Sequence, residues 1–329
     1  MIEPEKFRQL FSSLEREVKQ VIVGHSDVIR RVLIAFFAGG HVLLEGVPGL
    51  GKTLLIKSLS RALGLSFKRI QFTPDLMPSD IIGTQILTET DSRREFQFKK
   101  GPIFAQVVLA DEINRATPKT QSAVLEAMEE LQVTVFGETF TLESPFMVLA
   151  TQNPVELEGT YPLPEAQLDR FFFKLLLTSP SPEELREILD RTTGASVREV
   201  SRVLPENGAQ IITEMRLLLR QVLIAPPVED YVVRLIHATQ PIALKGNAPL
   251  PEAKEYLRFG ASPRAAQAMI LGAKGNALAN GRVHVSYEDI EAVVYPSIRH
   301  RLILNFQAEA ENVGPDQILA AVIKKVPRD

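Results

Sequence analysis

Eight consecutive residues, Gly46-Val47-Pro48-Gly49-Leu50-Gly51-Lys52-Thr53, combine the backbone and side-chain types that a phosphate group requires. Glycines let backbone N–H groups turn inward around an anion. A lysine in this position reaches the β- and γ-phosphates of a nucleotide, and a threonine hydroxyl holds Mg²⁺. The bland alternative is a glycine-rich turn beside a surface lysine. Context argues against it. The apolar run His41-Val42-Leu43-Leu44-Glu45 precedes the glycines, and residues 54–63, apolar at helical spacing, follow them. Strand, glycine-rich turn and helix start form the setting this motif needs. The helix N-terminus adds its dipole.

Further along, the apolar stretch 107–110 ends in Asp111-Glu112. At the carboxyl end of a central strand, Asp111 would face the phosphate loop and help hold Mg²⁺, mostly through water. Glu112 would orient or deprotonate an attacking water. A strand ending in a polar turn is the simpler reading of these two carboxylates, and the upstream loop weighs against it. The apolar run 147–151 ends at Gln152-Asn153-Pro154. Asn153 would position the water near the γ-phosphate, although an Asn-Pro turn fits the spacing equally well. Arg170 and Arg264 are two further candidates, and by spacing alone either reads as a surface ion-pair residue. Ser262 could cap the helix that carries Arg264, with Pro263 in its first turn.

The elements that would position these groups follow from periodicity. Residues 5–38 read as two helices, with Ser26 or Asp27 capping the second. Strand candidates occur at 42–45, 67–71, 107–110, 147–151 and 172–177. Most are continuous apolar runs, as in strands buried on both faces of a parallel sheet. Helical segments at 54–63 and 118–130 separate them, which predicts an α/β, doubly wound parallel sheet. Hairpins are expected at 133–142, around a Gly-Glu turn, and near 85–98, turning at Asp91-Ser92-Arg93. A linker is expected at 179–182. Beyond it the pattern is mainly helical, at 183–192, 210–223, 229–239, 263–280, 287–295 and 316–326. This divides the chain into a nucleotide-binding core at 1–180 and an α-helical domain at 181–329.

Composition narrows the classes. The 329 residues are 45% hydrophobic and 23% charged, as in an ordinary globular protein. The net charge of −3 gives no general basic field for nucleic acid. Lacking cysteine, the chain has no disulfide or thiolate chemistry, which fits a cytoplasmic location. Its longest apolar stretch, 32–44, is broken by Gly39-Gly40-His41 and is too short for a membrane span. The five histidines, His25, His41, His237, His284 and His300, show no metal-binding spacing.

The order of these motifs resembles that of the AAA+ ATPase module. The segments VVLADEINRATPKTQSAVLEAMEE, EGTYPLPEAQLDRF and IRHRLILNF together resemble its MoxR branch. The resemblance covers about residues 20–326 and implies an AAA+ core followed by a helical lid, with ATP and Mg²⁺ as cofactors. It matches Gly46, Val47, Pro48, Gly49, Leu50, Gly51, Lys52, Thr53 and Leu54 to the nucleotide-binding loop. It also matches Thr53 and Asp111 to the metal, Glu112 to the catalytic carboxylate and Asn153 to sensor 1. Arg170 matches the arginine finger, and Arg264 matches sensor 2, so that the second domain is expected to close toward the γ-phosphate when ATP binds. The 85–98 hairpin matches the helix-2 insert, and the 133–142 hairpin precedes sensor 1. Val23-Gly24 matches the adenine side, although His25 stands where the family often has Gln. The resemblance implies a ring, often a hexamer, that remodels or matures a client protein, commonly beside a von Willebrand A-domain partner. A nucleic-acid motor is the alternative. The basic pairs Arg93-Arg94 and Lys99-Lys100 favour it, and the acidic balance counts against it. A nucleotide-gated assembly scaffold is a second alternative. No N-K-x-D motif suggests a GTPase.

Overall fold

The computed structural model of the chain describes residues 2–90, 93–154, 159–194, 198–243 and 249–328. The first half runs α1 (Pro4–Lys19), α2 (Ser26–Ala38), β1 (Val42–Glu45), α3 (Lys52–Leu63), β2 (Phe67–Gln71), α4 (Pro78–Ile82), β3 (Gly83–Thr90), β4 (Arg93–Lys100), β5 (Val107–Asp111), α5 (Pro118–Glu130), β6 (Gln132–Val135), β7 (Glu138–Thr141), β8 (Met147–Gln152), α6 (Glu165–Leu168) and β9 (Phe173–Leu176). The second half runs α7 (Pro182–Thr193), α8 (Gly208–Gln221), α9 (Pro226–Ala238), α10 (Pro251–Tyr256), β10 (Leu257–Phe259), α11 (Pro263–Ala279), α12 (Tyr287–Ile298), β11 (Ile303–Leu304), α13 (Phe306–Ala310) and α14 (Pro315–Lys325).

Five parallel strands form one sheet in the order β2-β5-β8-β1-β9. Its central strands are apolar up to their carboxyl ends because both faces are covered. Leu43, Val108 and Ala110 belong to the core beneath α5. Their neighbours Val42, Leu44, Val107 and Leu109 belong to the core shared with α1, α2 and α3. The alternation follows from the two-residue period of a strand. The hydrophobic core on the second side continues through Met215, Tyr231, Met269, Leu278, Val293 and Leu319 of the later helices. The expected α/β core and helical lid are therefore both present.

Helix α11 lies unusually close to the first half. A Cβ on Gly272 would fall 2.8 Å from the Phe173 ring, and one on Gly275 would fall 2.9 Å from Ile34. Both glycines are needed for this approach, which seats α11 against β9 and α2. The orientation of α11 then decides where Arg264, in its first turn, points.

The two expected hairpins form as antiparallel pairs, β3 with β4 and β6 with β7. Phe98 stacks on Phe140 with centroids 4.4 Å apart, joining the hairpins. The turn residues Asp91 and Ser92 lie outside the described residues.

Several local expectations need correction. The capping position of α2 is His25, not Ser26 or Asp27, because Gly24 and His25 both take left-handed φ values, 68° and 51°. The stretch expected as a linker has no regular structure between β9 and Ser181, and α7 opens at Pro182. The Ser181 hydroxyl accepts the Glu184 N–H at 3.2 Å, and Pro182 occupies the first turn of α7. Ser262 sits at the cap position of α11 but bonds no N–H of that helix. The second half also contains the β10–β11 ribbon, whose strands are too short to leave a periodic signal. Among the described residues, no helix is long and apolar enough to cross a membrane.

Candidate functional site

Parallel strands place all their carboxyl ends along one edge, where loops meet. The loop after β1 is the candidate phosphate cradle. Gly49 and Gly51 take φ values of 87° and 75°. A Cβ at either would meet no atom within 4 Å, so the left-handed backbone, not crowding, calls for glycine. Gly51 then leads into α3 with no side-chain cap on its first N–H groups, which leaves them for an anion. The Lys52 ammonium donates to the Gly46 carbonyl at 2.6 Å. Burial pushes its pKa down from the usual lysine range, and Asp111, Glu112 and Glu45 pull it back up.

Asp111 ends β5, two strands from the loop. Its Oδ2 accepts from Arg69 Nε at 2.9 Å and Nη2 at 2.7 Å, and its Oδ1 accepts the Thr151 hydroxyl at 2.6 Å. The same Thr151 oxygen accepts the Glu112 N–H at 2.8 Å. That bond supports the strained backbone of Glu112, whose φ is 56°. The Glu112 carboxylate accepts from Gln71 Nε2 at 2.8 Å and Arg115 Nη1 at 3.1 Å. Asn153 follows β8 and is buried; the neighbouring Gln152 carbonyl accepts the Gly46 N–H at 3.2 Å. The structure thus brings Lys52, Asp111, Glu112 and Asn153 to one edge. Sequence reading missed Arg69, Gln71, Arg115 and Thr151. A signal existed for the first two, since β2 is polar at Lys68, Arg69 and Gln71 while the inner strands are not.

The residues at this edge suit Mg²⁺ with a nucleotide. Mg²⁺ takes one or two carboxylate oxygens and fills its shell with phosphate and water. Asp111 supplies hard oxygens and Thr53 a hydroxyl. No cluster of three or more potential metal ligands occurs among the described residues, so phosphate oxygens would complete the shell. Beside the loop, Val21, Ile22, Val23, Leu50, Leu54 and Ile188 line a cavity of about 120 Å³ with an apolar wall. Arg191 of α7 donates to the carbonyls of Lys19 (3.0 Å) and Gln20 (2.7 Å), which holds α7 over this cavity. At Gly24, φ 68°, a Cβ would lie 2.6 Å from Glu184 Oε1. Val23 lines this cavity, and Gly24 packs closely against α7.

The arginines lie elsewhere. Arg170 precedes β9 and so occupies the amino edge of the sheet. Its Nη1 donates to the Leu125 carbonyl at 2.9 Å, and its Nη2 is 2.8 Å from Glu129 Oε2. The other oxygen of Glu129 is 2.7 Å from Arg264 Nη2. One carboxylate thus holds both arginines. They line a cavity of about 410 Å³ with Gly40, His41 and Arg220. Arg264 is held at the amino edge by Glu129 rather than beside the Lys52 loop. Packing of α11 against β9 and α2 sends its N-terminus to the edge opposite the phosphate loop.

His41 fixes the floor of this second cavity. Its Nδ1 accepts the Val148 N–H at 2.9 Å, so its Nε2 carries the proton and donates to the Met128 carbonyl at 3.0 Å. Burial lowers its pKa from 6.5 to about 4, keeping the ring neutral. Glu129 is the next residue after Met128, so His41 braces the helix turn that presents it.

Comparison with known proteins gives consistent results. The family described as "ATPase family associated with various cellular activities (AAA)" matches residues 41–173, and the AAA lid domain matches 252–322. The chain is 45% identical to Chaperone MoxR1 of Mycobacterium tuberculosis, covering 95% of this chain and 82% of that one. It is 30% identical to Protein MoxR of Methylorubrum extorquens, covering 98% and 96%. A solved structure of a candidate ATPase from Cytophaga hutchinsonii superposes with a TM-score of 0.89 at 44% identity, covering 98% and 96%.

Proposed function

The chain belongs to the MoxR-type AAA+ ATPase family, and on that premise we propose an Mg²⁺-dependent ATP hydrolase whose nucleotide lies between adjacent subunits of a closed ring. Its motion would remodel or mature a protein client, in keeping with the chaperone named among its relatives. The observation that carries this reading is the separation of charges. Lys52, Asp111 and Glu112 lie at the carboxyl edge of the sheet, while Arg170 and Arg264 lie together at the amino edge. A subunit that keeps both halves so far apart completes a site by offering its arginines to a neighbour. Such a contact joins unlike surfaces and closes into a ring, here proposed as a hexamer.

In this reading Lys52 and the N–H groups of Gly49 to Thr53 bind the phosphates. Mg²⁺, held by Thr53 and Asp111, neutralises phosphate charge. Asn153 orients the attacking water, and Glu112 takes its proton on the carboxylate. Arg170 and Arg264, arriving from the neighbour, stabilise charge that grows in the transition state. Residues 1–180 act as the core and 181–329 as the lid. A cytoplasmic location and a von Willebrand A-domain partner complete the proposal.

The test mixes Arg170→Ala with Lys52→Ala protein, each inactive alone, under conditions of demonstrated subunit exchange. Some interfaces then pair an intact pocket with intact arginines, and activity returns in part. No recovery at any ratio refutes the proposal that the arginines act across the interface.

A further inference from the structure

The segment Ile298-Arg299-His300-Arg301 has had no role so far. In the structure its three basic residues all grip the backbone around Arg170. Arg301 is buried, with 3% of its side chain exposed. Its Nε donates to Asp169 Oδ1 at 2.7 Å, and its Nη2 donates to the carbonyls of Asp169 (2.9 Å) and Phe171 (2.8 Å). Its Nη1 donates to the Phe172 carbonyl at 3.4 Å and to the Ser297 carbonyl. These bonds match the five N–H donors of a guanidinium, which a buried arginine requires. His300 Nε2 donates to the Phe171 carbonyl at 3.0 Å. Arg299 holds Asp316 and donates to the Lys174 carbonyl at 3.4 Å.

The Asp169 carboxylate has a second commitment. Its Oδ1 also accepts the Ser262 hydroxyl at 2.7 Å, and its Oδ2 is 3.9 Å from Arg264 Nη1. Ser262 caps nothing on α11, so its hydroxyl serves Asp169 alone among the bonds of that helix start. Asp169 therefore joins three pieces of chain: the residue beside Arg170, the first turn of α11 that carries Arg264, and the end of α12.

We infer that Asp169, anchored by Arg301 and tied to Ser262, is a positioning group that fixes the spacing of Arg170 and Arg264 so that they reach a neighbouring nucleotide as a pair. This rests on the reading that both arginines act across the interface. Glu129 binds the two guanidinium tips, but it sits on α5, whose side chains cannot set the backbone positions of residues 170 and 264. The junction at Asp169 sets both.

The test uses Ser262→Ala in the full chain, because it removes one hydroxyl and leaves the buried Arg301–Asp169 pair intact. It should lower kcat by roughly tenfold, as lost alignment of a charge-assisted contact does, with KM for ATP unchanged. Ser262→Thr, which keeps a hydroxyl, should restore it. Mixing distinguishes the site of action. In rings of Ser262→Ala with Lys52→Ala, pockets of the first face undisturbed arginines of the second, so their turnover should recover. An Arg170→Ala mixture is run in parallel. Recovery there with none for Ser262→Ala overturns the positioning role and leaves the shared-site reading standing. Recovery in neither overturns that reading and, with it, this inference. A fall in thermal midpoint of more than about 4 °C for Ser262→Ala without a change in kcat marks a purely structural contact and also overturns it.

Discussion

At the carboxyl edge of the sheet, phosphate binding rests on backbone: two left-handed glycines, an uncapped helix start and one lysine, all within eight residues. At the amino edge the charges rest on side chains drawn from positions 129, 169, 170, 264 and 301. The first arrangement is local and fixed by conformation. The second is assembled by tertiary packing, chiefly the close seat of α11 on β9 and α2. Local sites survive small shifts between elements. Assembled ones register them, which suits an edge that must report on a neighbour.

Breaking each edge should give different kinetics. Lys52→Ala removes the charge aimed at the β- and γ-phosphates and should abolish ATP binding in calorimetry. Arg170→Ala should bind ATP normally yet lose roughly 10³–10⁵ in turnover, about 4–7 kcal/mol of barrier. Equal loss of binding in both variants would erase the distinction between the edges. Glu112→Gln belongs with the second outcome although it lies at the first edge. Glutamine keeps the contacts with Gln71 and Arg115 in shape but accepts no proton, so ATP should stay bound and turn over very slowly. Normal turnover would mean that another group prepares the water.

A change of pH probes His41 at the amino edge. His41 is held neutral with a pKa of about 4, against 6.5 when exposed. Unfolding therefore takes up a proton between these values, and stability falls as pH drops from about 6.5 towards 4. At about 1.4 kcal/mol per pKa unit, this costs on the order of 3 kcal/mol by the lower end. Denaturant melts at pH 7.5 and 5 should show this slope, and His41→Gln should flatten it. An unchanged slope in the variant would move the effect to other groups, such as buried His300.

The two edges also differ in how far they could be read in advance. Lys52, Asp111 and Glu112 were legible because each follows an apolar run and needs only its own neighbours. Most of the parallel strands were legible for the same reason, since burial on both faces makes them mainly apolar; β2, polar at Lys68, Arg69 and Gln71, is the exception. Arg170 could be placed, just before the last strand, whereas Arg264 could be named but not placed. Its position depends on which face of α11 meets the sheet, and Gly272 and Gly275 show that only once Phe173 and Ile34 are beside them. Glu129 left no mark, because an acidic residue in a helix's last turn reads as ordinary surface. The Thr151 bridge was hidden inside an apolar strand. Ser181-Pro182 marked the junction between linker and α7, because such residues fill loops and open helices.

The start of α7 supplies the mildest test of the contrast. Helix α7 covers the cavity beside the phosphate loop, and its start is held by a reciprocal pair. The Ser181 hydroxyl accepts the Glu184 N–H, and the Glu184 carboxylate accepts the Ser181 N–H at 2.8 Å. Removing a serine cap costs about 1 kcal/mol. Arg191, at the far end of α7, still ties the helix to α1, so Ser181→Ala should loosen the first turn without releasing the lid over the cavity. If α7 closes the nucleotide pocket, that cost appears as weaker ATP binding, at most about fivefold in KM. The arginines at the opposite edge are untouched, so kcat should hold. Hydrogen exchange should quicken at the first amides of α7 and nowhere near α11. A fall in kcat with KM unchanged would show that the edges communicate through α7, and the separation drawn between them would have to be abandoned.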